Sequence, residues 1–244
     1  MRLPRVYLDH PLDPGSEPRL PDGPARHLTQ VLRLGPGEPL LCFNGDGRDR
    51  AARIAAMGRQ GVTLAIGAAD DPEPPPVLEI RLALGISRGE RMDFAIQKAV
   101  ELGVVGIQPL FTERSMVQLR DARLDRRLGH WQGVLIGACE QSGRRRLPAL
   151  EPARLFADWL ATPLQGVLLL DPQAPQSLTQ REAPTGPVTL LVGPEGGLSA
   201  TERARAAARG IEGVRLGPRI LRAETAPLAA IAVLQALWGD LRDG

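Results

Sequence analysis

The chain has 244 residues, of which 43% are hydrophobic and 24% are charged. This length supports one large domain or a large domain with a small one, and the composition excludes a fibrous or disordered protein. The net charge is only +2, but arginines are concentrated: residues 203–222 contain six arginines and one acidic residue, and residues 113–146 contain eight arginines and four acidic residues. Such stretches are typical of a polyanionic partner, and equally of a solvated helix face.

Several classes of protein are not favoured by the sequence. The two cysteines, Cys42 and Cys139, are too few for a disulfide framework, and no Cys/His spacing indicates a metal site. No uncharged apolar run approaches the roughly 20 residues that a membrane span requires, and the start of the chain has no apolar signal segment. We therefore expect a cytoplasmic protein without a metal and without a membrane anchor.

Residues 1–70 have the pattern of a small β-rich domain. Short apolar runs at 40–43, 51–56 and 62–65 alternate with turns rich in Gly, Pro and Asp. The sequence Asn-Gly-Asp-Gly at 44–47, between two of these runs, predicts a hairpin. The proline-rich, acidic segment 70–76 then excludes regular helix and reads as a linker.

After this linker, apolar strand-like runs alternate with helical patterns. Ser199 and Glu202 form a capping-box pattern at the start of one of these helices. The alternation predicts an α/β fold with a mainly parallel sheet covered by helices on both faces. The predicted strands are 77–86, 104–109, 167–170, 188–192 and 213–216, and the predicted helices are 91–102, 124–141, 153–161, 199–209 and 227–238.

One motif suggests a serine hydrolase. The residues from Gly85 through Ser87 to Gly89 match the G-x-S-x-G nucleophile elbow between a strand and a helix. That chemistry needs an acid and then a histidine downstream, but only His130 follows the serine, and no oxyanion loop precedes it. We therefore interpret Ser87 as a cap of the following helix.

Two Gly-rich turns form the second candidate site. Residues 191–197 and 216–226 each leave a buried strand, and ligands of parallel sheets bind at the carboxyl ends of the strands. Glycine allows close approach of the backbone to a ligand. Neither turn is a dinucleotide fingerprint or a phosphate-binding P-loop. Taken alone, each turn is either a ligand loop or a structural connection.

Six segments carry a resemblance in order along the chain. They are H-x-x-x-V-L-R at 27–33, the helix at 90–103, F-T-E-R-S at 111–115, E-Q-S-G-R at 140–144 with Pro148, and the two Gly-rich turns. Together they resemble the bacterial 16S rRNA uridine-N3 methyltransferase family of the α/β-knot (SPOUT) superfamily, essentially from end to end. Two places depart from the family's pattern. Leu198 stands where an aromatic residue is common, and Arg88 and Gly89 stand where a lysine is common.

The resemblance implies a PUA-like β-barrel that binds RNA at 1–70 and a trefoil-knotted methyltransferase domain at 77–244. It also implies a homodimer packed through knot helices, with 16S rRNA of the small ribosomal subunit as substrate and S-adenosyl-L-methionine as methyl donor. The donor residues that the resemblance implies are Leu168, Leu170, Asp171, Gly193, Pro194, Gly196, Gly197, Leu216, Gly217, Ile220, Leu221, Thr225 and Ala226.

Catalytic roles are expected for three residues of the Gly-rich turns. Arg222 cannot act as a base near neutral pH, so it either stabilises charge on the acceptor or pairs with Glu224. Glu195 and Glu224 either handle the uracil N3 proton or brace their loops. The residues expected to contact RNA are His27, Arg33, Arg114, Ser115, Gln141, Ser142 and Arg144.

Two alternatives stay open at this point. One is a different knotted RNA methyltransferase, which acts on a ribose 2′-oxygen or on tRNA. The other is a catalytically silent RNA-binding assembly factor, which would keep the basic surfaces and the fold without transferring a methyl group.

Overall fold

The computed structural model describes residues 3–59, 61–115 and 122–242. The chain forms two compact units. The first contains the residues up to Pro75 together with Cys139–Leu147, and the second contains Pro76–Ala138 and the residues from Pro148 onward. Part of the arginine-rich stretch at 113–146, residues 116–121, lies outside the described residues.

The first unit is built on a four-stranded sheet. Its strands are β1 (Arg5–Tyr7), β2 (Pro39–Phe43), β3 (Arg50–Gly58) and β4 (Gly61–Ala69), in the order β1-β2-β3-β4. β1 and β2 are parallel, and the other pairs are antiparallel. The turn at 44–47 joins β2 to β3, which confirms the predicted hairpin. Helix α1 (Asp22–Arg26) runs directly into a π-helical turn, His27–Val31.

A buried arginine ties residues 139–147 to this unit. Arg5 is 8% exposed, lies 2.7 Å from the Asp49 carboxylate and stacks 4.4 Å from the centre of the Phe43 ring. Its Nη1 donates to the carbonyl oxygen of Cys139 at 2.7 Å, and its Nη2 donates to that of Arg144 at 3.0 Å. Because a buried guanidinium needs partners for its donors, these carbonyls fix segment 139–147 against β1.

The second unit is a parallel sheet with alternating helices. Its strands are β5 (Ile80–Gly85), β6 (Gly106–Phe111), β7 (Ala149–Leu150), β8 (Arg154–Leu155), β9 (Val167–Leu170), β10 (Val188–Val192) and β11 (Glu212–Val214). Their order is β11-β9-β10-β5-β6-β7, with β8 beside β6, and every described pair is parallel. The predicted parallel α/β sheet is confirmed.

Helices cover both faces of this sheet. They are α2 (Glu90–Glu101), α3 (Ala122–Ser142), α4 (Phe156–Leu160), α5 (Ala200–Ala208) and α6 (Thr225–Trp238). Ala83 and Leu191 pack in one cluster with side chains of α4 and α5. Their neighbours Leu82 and Leu190 point to the opposite face and are also fully buried, which a strand achieves only when both faces are covered.

The helix starts confirm one prediction and correct two. Ser199 accepts from the Glu202 amide at 3.0 Å, so the capping box of α5 is confirmed. The predicted cap at Ser87 is wrong, because the N-cap of α2 is Gly89, whose φ of 58° and ψ of −140° favour glycine. The helix predicted at 153–161 is shorter, because Arg154–Leu155 pairs with β6 instead.

Candidate functional site

Three loops meet at one edge of the parallel sheet. They follow β9, β10 and β11, which are neighbours in the order β11-β9-β10. Because the strands are parallel, their carboxyl ends lie at the same edge. The amide of Asp171, which follows β9, donates to the carbonyl oxygen of Val214 at the end of β11 at 3.0 Å. The structure thus brings together the segments 168–172, 193–197 and 216–221.

The loop at 193–197 depends on glycine in two ways. A Cβ at Gly193 would lie 2.7 Å from the backbone nitrogen of Leu198, so a side chain does not fit there. Gly197 has a φ of 66°, and its amide donates to the Pro194 carbonyl at 2.8 Å, which closes a tight turn. At the end of β5, Gly85 packs against Pro194 so closely that a Cβ would lie 2.6 Å from its nitrogen.

The loop at 216–226 presents apolar surface. Gly217 has a φ of 65°, and nothing lies within 4 Å of a Cβ built there. Ile220 is 83% exposed. The removal of such a large apolar side chain from water by a ligand or partner is favourable. The loop ends where the amides of Thr225 and Ala226 both donate to the Arg222 carbonyl at 2.9 Å and start α6.

Charged side chains from three elements converge beside these loops. Arg91 lies in the first turn of α2. Its Nη1 is 3.1 Å from Glu195 Oε1, and its Nε is 3.9 Å from Glu224 Oε1. Glu195 Oε1 also accepts from the Arg88 amide at 3.0 Å. Arg222 is exposed and forms no ion pair with Glu224 among the described residues. The anticipated pairing of Glu224 is therefore made by Arg91 instead.

Glu195 is held as a carboxylate. Burial alone raises its pKa, but hydrogen bonds from its own amide, the Arg88 amide and the Arg91 guanidinium together lower the pKa of Glu195 below its usual value. Its second oxygen, Oε2, is buried and accepts no hydrogen bond from the part of the chain that the structure describes. A cavity of about 520 Å³ adjoins it, lined by Glu195 and the residues from Arg88 to Arg91.

Two of the residues expected to contact RNA are engaged within the second unit. Arg114 donates through Nη1 to the Gly196 carbonyl at 2.8 Å, and its aliphatic part packs against Gly196. Ser115 closes its own turn, because its Oγ accepts from the Thr112 amide at 3.1 Å. Arg114 therefore supports the loop at 193–197 directly.

The other five belong to the first unit. His27 is the first residue of the π-helical turn, Arg33 lies two residues after its end, and both are exposed. Arg33 has a φ of 57°, which L-residues rarely adopt, and the following amide of Leu34 closes the helix end on the Leu28 carbonyl at 2.9 Å. The remaining three, in segment 139–147, are Gln141, Ser142 and Arg144.

The hydrolase alternative finds no support in the geometry. Ser87 is 5% exposed, and its Oγ donates to the Gly85 carbonyl at 3.5 Å. His130 is on α3, where its Nε2 lies 2.7 Å from the Asp93 carboxylate. A nucleophilic serine needs a histidine within hydrogen-bonding reach, and among the described residues no histidine bonds to Ser87.

Metal-binding and membrane-spanning features are absent from the described residues. Residues 3–59, 61–115 and 122–242 contain no group of three or more His, Cys, Asp or Glu side chains placed to share a metal ion. In the same part of the chain, every helix is too short or too polar to cross a bilayer.

Burial raises the pKa of Cys42 to about 12 and that of Cys139 to about 11, which keeps both thiols protonated near neutral pH.

The sequence reasoning missed Arg91, although it falls in a segment that carried the resemblance. A first-turn arginine on an exposed helix end reads as a solvated residue, and only the fold shows that it faces two carboxylates distant in sequence. It also missed Arg5, whose burial follows from partners 44 and 134 residues away.

Comparison with known proteins gives consistent matches. Residues 73–235 match an RNA methyltransferase domain family, and residues 20–67 match an RNA methyltransferase PUA domain. Ribosomal RNA small subunit methyltransferase E of Buchnera aphidicola subsp. Schizaphis graminum is 31% identical, with 98% of each chain covered. That of Synechocystis sp. is 32% identical over 86% of this chain and 70% of its own.

Solved structures agree in fold and in length. Ribosomal RNA small subunit methyltransferase E from Neisseria gonorrhoeae, bound to S-adenosyl methionine, has a TM-score of 0.92 and 40% identity, and the match covers 98% of this chain and 100% of that one. A structure from Legionella pneumophila with bound cofactor SAM has a TM-score of 0.93 and 35% identity at the same coverage.

Proposed function

Because the chain belongs to the family of ribosomal RNA small subunit methyltransferase E, we propose that it transfers a methyl group from S-adenosylmethionine to N3 of a uridine in 16S rRNA. It is an S-adenosylmethionine-dependent rRNA methyltransferase. The observation that carries the site assignment is the meeting of three loops at the carboxyl edge of β9, β10 and β11, beside a cluster of arginines and carboxylates.

The loops have properties that suit the methyl donor. Glycines at 193 and 197 bring the backbone close to a ligand, and Ile220 offers uncovered apolar surface for an adenine ring. We assign donor binding to Leu168, Leu170, Asp171, Gly193, Pro194, Gly196, Gly197, Leu216, Gly217, Ile220, Leu221, Thr225 and Ala226. When bound, the donor supplies a methyl group on a sulfonium centre, which leaves as a thioether when the methyl carbon bonds to N3.

The protein supplies orientation and electrostatics. Uracil N3 carries a proton, so this proton must pass to a base while charge grows on the flanking carbonyl oxygens. Arg222, exposed and unpaired with Glu224, is assigned to those oxygens. The proton acceptor is assigned to Glu224, because Glu195 already accepts hydrogen bonds from the Arg88 amide and the Arg91 guanidinium. Glu195 therefore acts as a brace that keeps its negative charge.

RNA contacts involve both units. We propose that residues 1–70 form the RNA-binding PUA-like barrel and that residues 77–244 form the knotted methyltransferase domain. Arginines meet phosphates and fix register, without reading sequence directly. The contacts are assigned to His27, Arg33, Arg114, Ser115, Gln141, Ser142 and Arg144, with Arg114 also bracing Gly196. We place the reaction in the cytoplasm, where ribosomal subunits are found.

The last helix supports a homodimer. Apart from Thr225 and Gln235, α6 contains only apolar residues, and a helix that is apolar on all sides is buried in the functional protein. In one copy of the chain Ile231 and Leu234 are fully buried, but Leu237 is 36% exposed and Val233 is partly exposed. A second copy packed on this face would cover them.

The test is methyl transfer to small ribosomal subunits that lack the modification, with labelled donor. We expect label on N3 of a single uridine. Label on ribose or on tRNA would assign the chain to another knotted methyltransferase type. Bound RNA without label, under conditions in which a known relative transfers methyl groups to the same subunits, would identify a silent assembly factor.

A further inference from the structure

The Arg91 side chain joins the two carboxylates of the proposed site. It projects from the first turn of α2, whereas Glu195 follows β10 and Glu224 precedes α6. Its Nη1 lies 3.1 Å from Glu195 Oε1, and its Nε lies 3.9 Å from Glu224 Oε1. The Arg91 side chain is 45% exposed, whereas the carboxylates are only 21% and 16% exposed. The guanidinium is thus more exposed than the two acids that it contacts.

The chemistry of the group suits this position. A guanidinium presents donors along two directions of one plane, whereas an ammonium is a point charge. Two carboxylates that each lie within 4 Å of the same cation repel each other when the cation is removed. Because Glu195 and Glu224 lie on separate loops, that repulsion acts directly on the spacing of the loops at 193–197 and 216–226.

We propose that Arg91 is a positioning residue for methyl transfer, which holds Glu195 and Glu224 together and thereby sets the distance between the two donor loops. This rests on the proposed function, and it adds a residue to which no role has been assigned. Arg91 acts through the two carboxylates and needs no contact with the donor or the base. The amide of Arg88 supports the same arrangement from the preceding turn, by its 3.0 Å bond to Glu195.

The experiment compares Arg91→Gln and Arg91→Lys with Arg181→Gln. Arg181 is the matched control, because it forms an ion pair with Glu212 at the amino end of β11, the edge of the sheet opposite the loops. Donor affinity is measured by calorimetry without RNA, and single-turnover transfer is measured with donor and enzyme both in excess over the small subunits. Melting temperatures of all variants show whether the fold is retained.

We expect Arg91→Gln to weaken donor binding about tenfold and to slow single-turnover transfer about 100-fold, because a displacement of about 1 Å can reduce a rate that much. Arg91→Lys should recover part of each loss, since an ammonium satisfies one carboxylate. Combining Arg91→Gln with Glu224→Gln should restore donor binding towards the unaltered value, because the repulsion is then gone. Arg181→Gln should bind and transfer normally.

Three results would overturn the proposal. Arg91→Gln could match Arg181→Gln in donor binding and transfer, Arg91→Lys could behave as the unaltered chain, or the double variant could lose donor affinity additively. Failure of the unaltered chain to bind the donor would instead overturn the proposed function, and this proposal with it. Transfer by the unaltered chain to another atom would change only the acceptor, and the Arg91 comparison would still decide.

Discussion

One place in each unit uses left-handed backbone, and the two places differ in the residue type that adopts it. At the sheet edge of the second unit, Gly197 and Gly217 occupy positive φ without a side chain. At the helix end of the first unit, the same conformation is taken by Arg33, the one non-glycine residue with positive φ in the described chain. The difference fits the proposed roles, in which the loops offer backbone to the donor, whereas the helix end keeps a guanidinium despite its conformational cost.

Among the variants that test this comparison, Gly193→Ala is expected to reduce methyl transfer most. The new Cβ would lie 2.7 Å from the Leu198 nitrogen, so the loop must move. We expect methyl transfer to fall by more than about 100-fold. Gly186→Ala is the control, because nothing lies within 4 Å of a Cβ there and its φ is not positive. Equal activity of both variants would show that the loop adapts, and that close backbone approach is not required.

Arg222→Ala tests the side chain of the same region. If Arg222 stabilises charge on the uracil carbonyls, single-turnover transfer should fall about 100-fold, as for the loss of an oxyanion donor. Donor affinity should change less than about threefold, since the side chain is exposed and is not placed on the donor. Measuring both separates the roles, and a loss confined to donor affinity would contradict the assignment.

Arg33→Gly should separate stability from binding in the first unit. Glycine relieves the left-handed strain, so the free energy of unfolding should rise by about 0.5–1 kcal/mol. RNA binding should weaken, and its dependence on the logarithm of salt concentration should become shallower by about one. Arg33→Lys keeps both the backbone strain and the charge, so it should change neither the free energy of unfolding nor RNA binding. A destabilised Arg33→Gly variant would show that the guanidinium is retained for folding.

The smallest effects concern two carboxylates with opposite pKa shifts. The lowered pKa of Glu195 stabilises the fold above the unfolded value of about 4.3, and this contribution is lost as pH falls through the folded pKa. Burial raises the pKa of Glu140, and the hydrogen bond from the Tyr7 amide offsets this rise only in part. The stability that protonated Glu140 contributes is therefore lost as pH rises through its folded pKa.

The corresponding variants should therefore shift the melting temperature in opposite directions. At pH 7, Glu195→Gln should lower it and Glu140→Gln should raise it. Each difference should shrink as pH falls through the folded pKa of the acid concerned, first for Glu140→Gln and then for Glu195→Gln, because the acid is then protonated in the unaltered chain as well. Shifts of the same sign at pH 7 would mean that the two regions do not differ in how they hold charge.

Local rules predicted most elements, and their failures have local causes. Strand β10 and the capping box of α5 follow from periodicity and from side-chain chemistry at short range. Ser87 failed because a capping serine and a buried serine look alike in sequence, whereas the backbone of Gly89 decides where α2 starts. The motif predicted Gly193 and Gly197 as donor residues, and this stays a prediction. Arg91 was missed because its partners are 104 and 133 residues away in sequence.

The buried Arg5 has a consequence for how the chain is made. Its carbonyl partner at Cys139 is 134 residues downstream, which at about 5–20 residues per second corresponds to on the order of ten seconds of translation. Until then, Arg5 and Asp49 lack the segment that completes their environment. The first unit therefore finishes folding only after residues 76–138 of the second unit have been synthesised, so a nascent chain completes its proposed RNA-binding surface late.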